Sequence, residues 1–340
     1  SISFMERAVA IDPEFAMAYR SMAACYSNLG RYAEAKKYWQ KALELSDRLS
    51  EKEQLIIHGD FFYKVEIAYD RAIEFYNKLL SLYPDNIIGN TNLGNIYFRL
   101  EQWDKAKERY EKAMQIAPEA ANPNVILALL YMSQGLYGEA NKVLEDYINN
   151  VSDSSYIRRF LAVNSFCQEK YDRALAEVDK AFLLDPTSYF NSWVKGDIEL
   201  YRENFFEAER EYQKLLESED ESVQICGRDR MGCLCLSEGK FKESENQLKQ
   251  GIELTEKFGE KGWEWQFHLK LAYIFQKTGN PEKALRECND AWNIAAEEVQ
   301  RIWDKPYILY FKGLAYLGMK SISEARRVAD ELKDLINKGM

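Results

Sequence analysis

The sequence predicts an all-α protein built as an α-α superhelix, a row of helical hairpins set side by side. Three observations predict it. One small residue recurs as an anchor at Ala35, Ala72, Ala106, Ala140, Ala174, Ala208, Ser244, Ala284 and Ala325, in steps of 37, 34, 34, 34, 34, 36, 40 and 41 residues. Twelve residues before the anchors stand Ala23, Asp60, Gly94, Ala128, Ala162, Gly196, Gly232, Ala272 and Gly313, small in eight of nine, and nine residues before them six are aromatic. Pro13, Pro84, Pro118 and Pro186 follow second helices at matching places.

Each offset has a physical reason. Two helix backbones approach closely only where side chains are small, and the aromatic residues fill the wider space beside them. Proline lacks an N–H and its ring clashes with the preceding turn, so it ends a helix. Gly30, Gly135, Gly239 and Gly279 fit a left-handed C-cap between the two helices of a pair.

Taken in order, residues 1–13 read as the second helix of a hairpin whose first helix lies outside the chain. The units anchored from Ala35 onward follow, and residues 87–118 form the best-patterned copy, with Leu93, Gly94, Tyr97, Ala106, Tyr110, Ala113 and Pro118 in place. A hairpin of this kind cannot bury both apolar faces alone, so its neighbours must supply the partner surface. After about Ser222 the step lengthens, which predicts longer helices. Residues 282–303 contain neither proline nor glycine and could form one helix of about six turns at 3.6 residues per turn. The expected organisation is therefore an array of near-34-residue repeats over residues 1–222, continued by a longer-repeat array over 223–340.

This pattern resembles the tetratricopeptide repeat, over essentially the whole chain. The resemblance implies a right-handed solenoid of about nine hairpins plus a leading half-repeat. The block at residues 46–86 further resembles repeat arrays attached to bacterial eukaryotic-like serine/threonine kinases and related signalling regulators. In the family, first helices line the concave face where ligands lie. Carried over by offset, the resemblance places Arg20, Phe61 and Lys64 on that face, then Thr91, Asn95 and Phe98, with Asn92 and Arg99 at its edge. Asn122 and Met132 follow, then Tyr156, Arg159 and Phe166, then Phe190, Trp193 and Asp197, and finally Tyr307 and Tyr310. The partner-binding groove is expected at Phe61, Lys64, Asn92, Asn95, Phe98, Arg99, Tyr156, Arg159, Phe166, Phe190 and Trp193. A C-terminal carboxylate clamp of the co-chaperone type is not expected, because the positions flanking Asn92 and Asn95 hold Phe61, Val125 and Ile126 rather than basic residues.

Composition narrows the remaining classes. With 45 basic against 55 acidic residues the formal charge is −10, which argues against a general binder of phosphate backbones. The longest uncharged stretch, residues 120–138, is broken by polar residues and glycine, short of the about 20 apolar residues a membrane helix needs. Six cysteines, Cys25, Cys167, Cys226, Cys233, Cys235 and Cys288, fall mostly in apolar helical patterns and read as reduced, hence cytoplasmic. Cys226, Cys233 and Cys235 lack the paired spacing of a zinc site. The two histidines, His58 and His268, lie six units apart, too far for a catalytic dyad. No phosphate-binding loop, dinucleotide fingerprint or nucleophile elbow is present.

The expected function is a non-enzymatic protein–protein interaction scaffold binding a peptide or partner helix, with no cofactor, metal, nucleic acid or membrane partner. The alternative is the sensory or docking region of a larger bacterial signalling enzyme whose catalytic part lies upstream of Ser1. Self-association through uncapped ends is a third expectation.

Overall fold

The computed structural model describes residues 2–28, 31–259, 261–297 and 305–337. Among them it holds nineteen α-helices and one 3₁₀ turn, with no strand. The fold is the expected α-α repeat class. After α1 (Ile2–Ile11) the helices run in nine consecutive pairs: α2 (Ala16–Asn28) and α3 (Tyr32–Glu44), α4 (Glu51–Lys64) and α5 (Tyr69–Leu82), α6 (Ile87–Arg99) and α7 (Trp103–Ile116), α8 (Ala121–Ser133) and α9 (Tyr137–Asn150), α10 (Ser155–Phe166) and α11 (Tyr171–Leu184). Next come α12 (Tyr189–Tyr201) and α13 (Phe205–Leu216), α14 (Glu221–Ser237) and α15 (Phe241–Phe258), α16 (Lys261–Lys277) and α17 (Pro281–Glu297), α18 (Lys305–Gly318) and α19 (Ile322–Asn337). Of the long helix expected at 282–303, residues up to Glu297 belong to α17, and 298–303 lie outside the described residues.

The chain divides into two compact units, Ser1–Met22 with Lys37–Glu211, and Ala23–Lys36 with Tyr212–Met340. In the first, hairpins pack in succession, and first helices also touch first helices, as α10 touches α12. In the second, α14 to α17 reach 17 or 18 residues, against 12 to 14 in α10 to α13. The longer repeat step is thus taken up mainly by about one extra turn per helix.

The nine anchor positions are all buried. At two of the anchors a side chain four residues later fills the space beside a glycine twelve residues earlier. A β-carbon built at Gly94 would lie 2.5 Å from Tyr110 Cε1, and one at Gly232 would lie 2.6 Å from Leu248 Cδ2. Leu144 and Val178 are paired instead with alanine, Ala128 and Ala162, and all four are buried. Ser244, the one non-alanine anchor, donates its hydroxyl to the Gly232 carbonyl at 2.7 Å, so its burial leaves no polar group unpaired.

The turns inside the hairpins obey a rule the sequence shows only in part. The residue five before each anchor takes a left-handed backbone: Gly135, Gly239 and Gly279 at φ 73° to 75°, but also Ile67, Glu101, Glu169, Glu203 and Lys320 at φ 51° to 60°. Gly30, at the same register, lies outside the described residues. Except after Ile67, where Ala68 bonds to Phe62, the following N–H reaches back to the carbonyl nine before the anchor, as Gln102 to Tyr97 (2.9 Å), Lys170 to Ser165 (3.0 Å) and Lys240 to Cys235 (2.8 Å). Together with the shorter bond from the left-handed residue, this is a Schellman end that satisfies carbonyls the helix leaves open. At the other end α4, α6, α10 and α14 are capped by side chains, whereas α8 and α12 are not. Asn86 accepts from Gly89 N at 2.8 Å, and Ser50 and Glu53 form a capping box. The four prolines stand two residues beyond the last helical residue of α1, α5, α7 and α11.

Candidate functional site

The first helices of the first unit carry the predicted residues, but the structure uses them in different ways. Asp60, the exception among the small positions, is 1% exposed at the centre of a polar network. Arg20 Nε on α2 donates to its Oδ2 at 2.6 Å. The Tyr76 hydroxyl on α5 donates to Oδ1 at 2.5 Å, and Asn92 Nδ2 on α6 donates to the same oxygen at 2.8 Å. A buried carboxylate is tolerable only when paired and hydrogen-bonded, and here three donors from three helices do both. Burial, and then the Asp60 charge, hold the Tyr76 hydroxyl well above its ordinary pKa, so it stays protonated as a donor. Asn92 is therefore engaged inside the fold.

Its neighbours are similarly occupied. Asn95 accepts from the Tyr110 hydroxyl at 2.9 Å, and Arg99 Nε donates to Tyr63 at 3.4 Å. Phe98 meets Trp103 edge-on at 5.4 Å. Phe61 packs against the cluster of Leu55, Tyr63 and Tyr76, and Lys64 Nζ sits 4.1 Å from the Tyr63 ring centroid. Phe166 is half-buried against Ala162, Ala174, Val178 and Ile198, with Tyr201 across it at 5.0 Å.

The arrangement changes at α10 and α12. Tyr156 and Arg159 stand eighteen and fifteen residues before Ala174, and Phe190 and Trp193 occupy the same two places before Ala208. On adjacent first helices these four become one surface. Tyr156 is 37% exposed and Phe190 39%. Phe190 stacks on Trp193 at 6.2 Å and on Tyr189 at 4.0 Å, while Tyr156 meets Phe160 edge-on at 5.2 Å. The Arg159 guanidinium lies among them, 4.7 Å from the Phe190 centroid and 5.4 Å from that of Tyr156. Trp193 Nε1 donates to Asp197 at 2.9 Å. Phe160 and Tyr189 were not expected in this cluster. Each stands beside an expected residue in sequence, and only the rotation of the helix decides that they turn the same way.

Of the other predicted positions, Asn122, Tyr307 and Tyr310 are exposed, and Thr91 and Met132 half-buried.

A second constellation falls in the second unit. His268 on α16 pairs through Nδ1 with Glu287 Oε2 on α17 at 2.7 Å, and Asp290 lies close enough for the three to offer ligand atoms within 4.8 Å of one another. The same register, sixteen before and three after an anchor, holds Arg158 with Glu177 at 2.8 Å and Arg228 with Gln247 at 2.7 Å. A recurring tether between the two helices of a hairpin accounts for the His268–Glu287 contact. Cys226, Cys235 and Cys288 are buried, and burial pushes the Cys288 thiol up to about 12. Cys167 departs from the expected burial: it is exposed, just past the last helical residue of α10, where the chain turns.

No described helix is long and apolar enough to cross a membrane.

Tetratricopeptide repeat family models match residues 16–48 and 100–163. The human antiviral innate immune response effector IFIT1 is 24% identical over 193 residues, 49% of this chain and 39% of that protein. Human DnaJ homolog subfamily C member 7 is 24% identical over 232 residues, 62% of this chain and 45% of that protein. The chain thus spans less than half the length of these curated relatives. Among solved structures, yeast Tom70 superposes with a TM-score of 0.64 at 14% identity, covering 98% of this chain and 81% of that one. The human IFIT1 dimer with PPP-AAAA gives 0.52 at 16% identity, covering 94% and 83%. At such identities these structures speak for the fold alone. With the matched stretches, the paired helices and the register of small, aromatic and left-handed positions agreeing, the chain is a tetratricopeptide repeat protein.

Proposed function

We propose that the chain is a non-enzymatic protein-interaction scaffold that holds a peptide or partner helix on the face of its first helices. Tetratricopeptide repeat folds are generally non-catalytic and bind protein partners. The observation carrying the reading is the exposed ring surface of Tyr156 and Phe190, continuous across α10 and α12. Rigid rings bury contact area at low entropic cost, which is why they dominate binding surfaces. Of the expected groove residues, Tyr156, Arg159, Phe190 and Trp193 are proposed to make contact, Lys64, Asn95, Phe98 and Arg99 to flank it, and Phe61, Asn92 and Phe166 to support the helices.

The test is Tyr156→Ala with Phe190→Ala, followed by partner capture and circular dichroism. Binding is expected to fall with helicity unchanged; an unfolded double variant would show the rings to be core. The proposed partner is a protein and the proposed setting cytoplasmic. Nucleic acid is excluded only as part of this proposal, and PPP-AAAA, seen with the IFIT1 neighbour, is the probe that checks it.

A second reading is self-association through α1, which leaves Phe4 69% and Ile11 86% exposed. Light scattering across protein concentration decides it, a constant monomer mass ruling it out. A docking role within a larger signalling kinase would use the same first-helix face, and a His-Arg-Asp loop in sequence upstream of Ser1 is what would establish it.

A further inference from the structure

Arg159 and Arg158 are neighbours in sequence and differ in what answers their charge. Arg158 is held by Asp153 at 2.7 Å and Glu177 at 2.8 Å. Among the described residues Arg159 has no carboxylate within ion-pairing distance and no hydrogen-bond acceptor. Its surroundings are rings: Phe190 at 4.7 Å, Tyr156 at 5.4 Å and Phe160 at 5.9 Å. Burial lowers its pKa, and the attractions of Tyr156, Tyr189 and Asp185 do not reverse this. Stacking occupies the flat face of a guanidinium but leaves its edge donors in the plane of the group. Those donors are the ones that grip a carboxylate with two parallel bonds.

We propose that Arg159 anchors a carboxylate on a partner peptide, an Asp or Glu side chain flanked by an apolar residue that lies on Tyr156 and Phe190. This rests on the first-helix face being the peptide-binding surface. The rings hold water away from the charge, which strengthens a charge-assisted bond made there. A single cation held among rings suits one carboxylate. A nucleic-acid strand, with a phosphate at every nucleotide, calls for a row of cations.

The experiment selects from a random displayed peptide library against the full chain, in parallel with Arg159→Gln and with Tyr156→Ala/Phe190→Ala. The selected peptide and its amide counterpart, each Glu replaced by Gln, are then titrated by fluorescence anisotropy. An acidic residue beside an apolar one is expected among wild-type selectants. Arg159→Gln is expected to weaken the acidic peptide by about 10- to 100-fold and the amide peptide by less than about 3-fold, the scale of a hydrogen bond to a charged group. Acidic and amide peptides binding wild type equally, while the ring variant loses both, would overturn the carboxylate and leave the surface standing. Selectants indifferent to the ring variant, or no selectants at all, would overturn the surface and the inference with it. Displacement of the peptide by PPP-AAAA in an Arg159-dependent manner would assign the cation to a phosphate instead.

Discussion

Two arginines on first helices of the same unit, Arg20 on α2 and Arg159 on α10, meet opposite surroundings. Arg20 is answered by a buried carboxylate that also takes bonds from Tyr76 and Asn92. Arg159 is answered by aromatic faces. The difference teaches that membership of the first-helix face does not define a binding residue. A charge whose partners lie within the fold stabilises the stack; a charge left on rings is available to something else.

The largest test breaks the first arginine's arrangement. Asp60→Ala strands Arg20, the Tyr76 hydroxyl and the Asn92 amide, and is expected to cost about 3–5 kcal/mol, the scale of a broken buried ion pair. A lowered urea midpoint measures it. If the midpoint barely moves, the network is ornamental and the contrast with Arg159 collapses.

The next test compares the packing inside two hairpins, α6 with α7 and α10 with α11. Gly94→Ala forces a methyl against Tyr110 and is expected to cost about 1–3 kcal/mol. Adding Tyr110→Leu should recover part of the loss, since the α10 hairpin already pairs Ala162 with the smaller Val178. Strict additivity in a double-mutant cycle would show that the Tyr110 ring is not what excludes the methyl.

Smaller again are the turns. Gly135→Ala puts a side chain on a left-handed backbone and should cost about 1 kcal/mol. Glu203→Gly relieves the same strain at the equivalent place and should gain up to about 1 kcal/mol, less the entropy of a looser unfolded chain. Thermal melts of the pair should move in opposite directions. The smallest expected effect is Arg159→Gln on stability, within about 0.5 kcal/mol of wild type. A loss comparable to that of Asp60→Ala would make Arg159 structural.

Much of the fold was legible because its signals are short-range and repeated. An alanine, a small residue twelve before it and an aromatic nine before it betray two helices that must close on each other. The left-handed turns were legible only where glycine occupies them. At Glu101, Glu169 and Glu203 side-chain identity carries no such signal, and geometry imposed by both helices overrides local preference. The site was legible as a set of rings on one face. Its sorting was not, because the contacts that commit Arg20 and Asn92 to Asp60 span 40 and 32 residues. Asp60 at a small-residue position was the one hint, a polar group where only burial was on offer.

The left-handed turn has a consequence for how the chain comes to be folded. The bonds that close it join residues no more than six apart, and the helix pair it sets up is drawn from some thirty neighbouring residues. Contacts so local close quickly, with little loop entropy to overcome. Each hairpin can therefore begin to form as soon as it leaves the ribosome, and docking onto the preceding hairpin then fixes it in place.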